Sequence, residues 1–84
     1  MKTYNEILEQ LKILIEEQTL GNFTADKIND GHKMREDLGL DSLDYASVFL
    51  GAEQCLGIKV KESGINWADI QTVSQLAALL AKNQ

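Results

Sequence analysis

A threonine followed three residues later by a carboxylate or an amide stands twice at the head of an apolar run, as Thr3-x-x-Glu6 and Thr72-x-x-Gln75. Both pairs carry the reciprocal capping chemistry that starts a helix. Behind the first, Tyr4, Ile7, Leu8, Leu11, Leu14 and Ile15 recur at helical spacing, with Gly21 as the predicted stop. Glu9, Lys12, Glu16 and Glu17 fall on the opposite face and read as solvated. Behind the second, Val73, Leu76, Ala77, Leu79 and Leu80 form a stripe that runs towards the end of the chain. Between them, Asp41 caps a helix predicted over Ser42 to Leu56, with Gly57 as its stop. A chain of 84 residues has room for one small core, and this one contains no proline to break its helices. The predicted fold is therefore all-α: a single domain over residues 1–84, built as a small antiparallel bundle of three main helices plus one short helix. The short helix is expected within Ile65 to Ile70, with Trp67 packing inward.

The connections are as informative as the helices. Residues 21–40 form a long link with little periodicity, containing Gly21, Gly31 and Gly39 and pinned by Phe23, Ile28, Met34 and Leu38. Links of this length inside small domains are usually functional. Ile58-Lys59-Val60-Lys61 alternates as a strand would, but no other segment offers it a partner, so an extended connector is expected.

The middle helix has two apolar sides. At about 100° per residue, Tyr45, Val48, Phe49, Ala52 and Leu56 make one broad stripe that should face the core, while Leu43, Ala46, Ser47 and Leu50 lie opposite. A helix that packs on one side has no need of the second strip. From Glu36 to Ile58 there are five acids (Glu36, Asp37, Asp41, Asp44, Glu53) and no Lys or Arg, so the strip is expected to sit in a negative field. Ser42 stands at its start. Asp41 can cap the helix alone, which leaves the Ser42 hydroxyl free in the first turn, beside backbone N–H groups that tolerate an anion.

Other chemistries find less support. With 13 acids against 8 bases, a net charge of −5 and a pI near 4.6, the chain is a poor partner for nucleic acid or anionic membrane; basic protein surfaces suit it better. Met1-Lys2-Thr3-Tyr4 carries no apolar signal core and no stretch is long enough to span a membrane, so a cytoplasmic monomer is expected. One cysteine, Cys55, cannot form an internal disulfide and is expected to pack as a small residue at the margin of the core stripe. A nucleophilic Ser42 would need a base; the lone histidine, His32, reads as a solvated loop residue, and no Gly-x-Ser-x-Gly elbow occurs. No catalytic residue is assigned. Asp26, Asp30, Gly31 and Asp37 fall in an EF-hand register, but Ile28 and Met34 occupy ligand positions and Lys27, Lys33 and Arg35 add positive charge, so no metal site is assigned.

Leu38-Gly39-Leu40-Asp41-Ser42-Leu43-Asp44, followed by a helix and then Gly57-Ile58-Lys59-Val60, resembles the acyl carrier protein family, and the likeness extends from Tyr4 to the C-terminus. The resemblance implies that Ser42 is esterified with 4′-phosphopantetheine, taken from coenzyme A by a phosphopantetheinyl transferase that holds its own magnesium. It further implies a non-catalytic carrier of acyl thioesters, with Asp41 beside the attachment point. Leu43, Asp44, Ala46, Ser47, Leu50 and Glu53 would then meet basic docking patches on acyl-transferring, ligase or synthase enzymes. The apolar side of the middle helix would part from its neighbours to shelter an acyl chain. Fatty-acid carriers of this family commonly have a glutamate where Ser47 stands, and an acidic cluster where Glu53-Gln54-Cys55 stands; those departures point to a specialised lipid or polyketide pathway. Aminoacyl or peptidyl carriage is the neighbouring alternative. An unmodified acidic module that binds a partner helix through the same strip is the alternative from another class.

Overall fold

Helix starts are fixed by short-range hydrogen bonds, and here the caps settle the architecture. The computed structural model describes residues 2–60 and 65–84. Helix α1 spans Tyr4–Gln18, α2 spans Ser42–Leu56 and α3 spans Val73–Lys82. Each opens on a two-way capping box, Thr3 with Glu6, Asp41 with Asp44 and Thr72 with Gln75, so orphan amides of the first turn are satisfied by the sequence itself. Single 3-10 turns occupy Ala25–Lys27 and Trp67–Asp69, the second being the expected short helix reduced to one turn. Among the described residues there are no strands, only an isolated bridge between Lys33 and Thr72. The fold is all-α and acyl-carrier-like.

Helix α1 is central and packs on both α2 and α3. It runs antiparallel to α2: Gln18 Nε2 donates to Asp44 Oδ1 at 2.8 Å, and further back along α1 Leu14 lies against Gly51. A Cβ at Gly51 would sit 3.2 Å from Leu14 Cδ2, so the glycine lets the two helices approach closely. The predicted faces are the buried ones: Ile7, Leu8, Leu11 and Ile15 on α1, Val48, Phe49 and Ala52 on α2, and Val73, Leu76, Ala77 and Leu80 on α3. The long link adds Ile28, Met34 and Leu38, as expected, and also Leu40; Phe23 is half-buried. Ile58 and Val60 are buried in an irregular connector, whose expected last residue, Lys61, lies outside the described residues.

Several local expectations change. Helix α1 is closed by Leu20 rather than Gly21: Leu20 takes a left-handed φ of 55° at the position after the cap, with Leu20 N donating to Glu17 O and Gly21 N to Glu16 O. This is a Schellman closure with leucine where glycine is usual. Glu16 is half-buried instead of freely solvated, because its Oε1 accepts from the Ala25 amide at 2.7 Å and anchors the first 3-10 turn. Cys55 is exposed, since Ala52 and Leu56 take the inward side of the last turns of α2. Trp67 remains 38 % exposed, because its turn rests on the rim of the bundle with the indole edge-on to Tyr45 and Phe49.

Candidate functional site

Ser42 is delivered by a compact turn in the link. The Lys33 amide donates to Asp37 Oδ2 at 2.8 Å, the Asp37 and Leu38 amides donate to Lys33 O, and the Gly39 amide donates to Arg35 O. Gly39 then adopts a φ of 69°, which glycine reaches without strain, and Leu40 folds back so that its amide donates to Met34 O at 2.9 Å. With Leu40 buried beneath it, the chain emerges at Asp41 in register to cap α2. A second tie holds this turn to the chain before α3: Met34 N donates to Gln71 O at 2.9 Å, and Val73 N to His32 O at 3.1 Å.

At the helix start, Asp44 N donates to Asp41 Oδ1 at 2.8 Å and Asp41 N to Asp44 Oδ2 at 3.3 Å. The cap is complete without Ser42. Its hydroxyl is exposed, and Arg35 Nη2 donates to Ser42 Oγ at 3.2 Å. This sets one cation beside the acids of the helix start. Arg35 lies one residue before the acidic run, and the Lys33–Leu40 turn carries it back over the helix start. Sequence spacing alone does not disclose the contact.

The six residues assigned to partner contact fall into two groups. Leu43 is 80 % and Leu50 52 % exposed, and Ala46 and Ser47 are exposed beside them, so the second apolar strip faces solvent along α2. The acids are more engaged. Asp44 serves the cap and Gln18, while Glu53 Oε2 accepts from the Val60 amide at 2.8 Å.

Beside Ser42 lies an open groove of about 490 Å³ between the Lys33–Leu40 turn, the start of α2 and the Trp67–Asp69 turn. Lys33, Arg35, Glu36 and Asp41 contribute its charged wall; Met34, Leu40, Tyr45, Trp67 and Ile70 contribute apolar surface. Tyr45 is half-buried there, and burial raises its phenol above the ordinary range, so it remains a neutral hydroxyl directed at Ile70 O. The core side of α2 is filled by Val48, Phe49 and Ala52, and the groove adjoins Ser42. A phosphodiester arm fits these residues: the hydroxyl is accessible, a guanidinium already touches it, and an adjoining groove has an apolar side.

His32 supplies no base here. Its Nδ1 accepts from the Asn29 amide at 3.2 Å, and it does not line the groove. Among the described residues no three His, Cys, Asp or Glu side chains converge as a metal site, and no helix is long and apolar enough to cross a membrane.

No family model matches the chain. A curated relative does: the acyl carrier protein of Saccharopolyspora erythraea is 35 % identical over 74 residues, covering 88 % of this chain and 74 % of that protein. That identity, extending over nearly the whole length of a bundle of three capped helices, shows that the chain belongs to the acyl carrier protein family.

Proposed function

We propose that the protein is a non-catalytic carrier whose Ser42 holds a 4′-phosphopantetheine arm and presents acyl thioesters to separate enzymes. The observation that carries this reading is the Ser42 hydroxyl, exposed and released from capping duty by the Asp41–Asp44 box. In the loading step Ser42 Oγ bonds to the phosphorus of coenzyme A that bears the pantetheine. The hydroxyl gives up its proton, and the nucleotide half departs with the broken P–O bond. Once loaded, the arm supplies a terminal thiol. The tether converts each transfer into a reaction at high local concentration.

Docking falls to Leu43, Ala46, Ser47 and Leu50, with the acids around the helix start drawing in basic partners, the phosphopantetheinyl transferase among them. Ser47 and the uncharged Gln54 and Cys55 on the docking helix support a specialised lipid or polyketide pathway, and a cytoplasmic setting suits these partners. Co-expression with a broad-specificity phosphopantetheinyl transferase, followed by intact-mass measurement, tests the reading. The expected result is a gain of one phosphopantetheine that disappears in Ser42→Ala. An unchanged mass, or a gain that survives Ser42→Ala, favours an unmodified interaction module using the same apolar strip.

A further inference from the structure

We propose that Arg35 is an anchor for the arm: its guanidinium grips the phosphodiester on Ser42 and so lays the pantetheine along the groove against Trp67, instead of leaving it to swing in solvent. This rests on Ser42 carrying the arm, and goes beyond it by giving the arm a resting place and this chain a residue that holds it there.

Arg35 Nη2 already lies 3.2 Å from Ser42 Oγ, the atom that becomes the ester oxygen. The two anionic oxygens of a phosphodiester flank that atom, within reach of a planar fork with donors to spare. Arg35 forms no ion pair among the described residues, whereas its neighbour on the same wall, Lys33, is taken by Glu36 at 3.3 Å. The wall carries Lys33 and Arg35 against Glu36 and Asp41, so its formal charge is balanced and the attraction is local to Arg35. Phosphate held there would start the arm at the groove mouth. Beyond the mouth lie Met34, Leu40, Ile70 and the indole of Trp67, the chain's single tryptophan, 38 % exposed and fixed edge-on by Tyr45 and Phe49.

That tryptophan makes the test direct. Apo and loaded forms of the wild type and of Arg35→Gln are prepared, loading is verified by intact mass, and Trp67 emission and its quenching by the neutral quencher acrylamide are recorded at low salt. In the wild type, loading is expected to shift the emission and protect the indole from acrylamide; in loaded Arg35→Gln both changes are expected to be lost. High salt should also return the loaded wild type towards its apo spectrum, because the contact is exposed and therefore screened. Should Arg35→Gln resist loading, Arg35→Lys carries the same comparison, with a reduced shift expected because an ammonium cannot fork. Equal shifts in loaded wild type and variant, or no shift in a wild type whose mass shows the arm, overturn the anchor. Absence of the mass gain from the wild type overturns the carrier reading instead, so the two failures are distinct.

Discussion

Two residues share a left-handed φ with opposite chemistry. Gly39 has a φ of 69° and Leu20 a φ of 55°, yet only the first lacks the Cβ that makes this region costly, by about 1–2 kcal/mol for an ordinary residue. Leu20 is 92 % exposed and so recovers little by packing. Leu20→Gly is therefore expected to stabilise the fold by about 0.5–1 kcal/mol, and Gly39→Ala to destabilise it by about 1 kcal/mol, both read from urea midpoints. A Leu20→Gly variant no more stable than the wild type would mean that the exposed leucine makes a contact worth as much as its strain. At this scale the serine was legible in the sequence and its neighbour was not. Ser42 sits inside a local motif whose capping arithmetic can be read residue by residue. Arg35 reaches it only because Gly39 and the bonds from Asp37, Leu38 and Gly39 back to Lys33 and Arg35 fold that stretch into one turn.

Helices carry their own punctuation, which is why α2 begins and ends where Asp41 and Gly57 place it, and why the α1 and α3 starts follow Thr3 and Thr72. Misreadings came from tertiary demand. Glu16 looks like a solvent-facing residue until the chain returns at Ala25, and Cys55 looks marginally inward until Ala52 and Leu56 fill that side. Capping also has a pH signature. The Thr3 amide, followed by the Thr3 hydroxyl, holds the Glu6 carboxyl below its ordinary 4.5. A carboxyl whose folded pKa is depressed adds stability above its unfolded value and loses it as pH falls through the folded one. Glu6→Gln keeps an acceptor for the Thr3 amide but cannot titrate. The stability difference between wild type and Glu6→Gln is thus expected to be largest near neutrality and to shrink as pH drops below 4.5. Urea titrations at several pH values check it, and a difference independent of pH would count against this role for Glu6.

Taken whole, the molecule spends its apolar residues economically. Its radius of gyration of 11.5 Å is that of a packed chain of this length, about 12 Å. A core that tight has already used the inward stripes of all three helices, yet Leu43 and Leu50 stay in water on α2. Folding does not require them there, so their contribution is sought in association. A partner drawn in by a net charge of −5 would bury them at the centre of the contact, where truncation of an anchoring side chain typically costs at least about 1 kcal/mol, or roughly fivefold in affinity. Leu43→Ala is expected to leave the urea midpoint within about 0.5 kcal/mol of the wild type, because an 80 % exposed side chain supports little structure. The same change is expected to weaken binding of the apo protein to a phosphopantetheinyl transferase about fivefold, as read by titration calorimetry. Added salt should slow association of wild type and variant alike, since the steering charges are untouched. If Leu43→Ala binds as the wild type does, docking lies elsewhere than on this strip; if it unfolds early, Leu43 supports the bundle and the division of labour between the two sides of α2 is wrong.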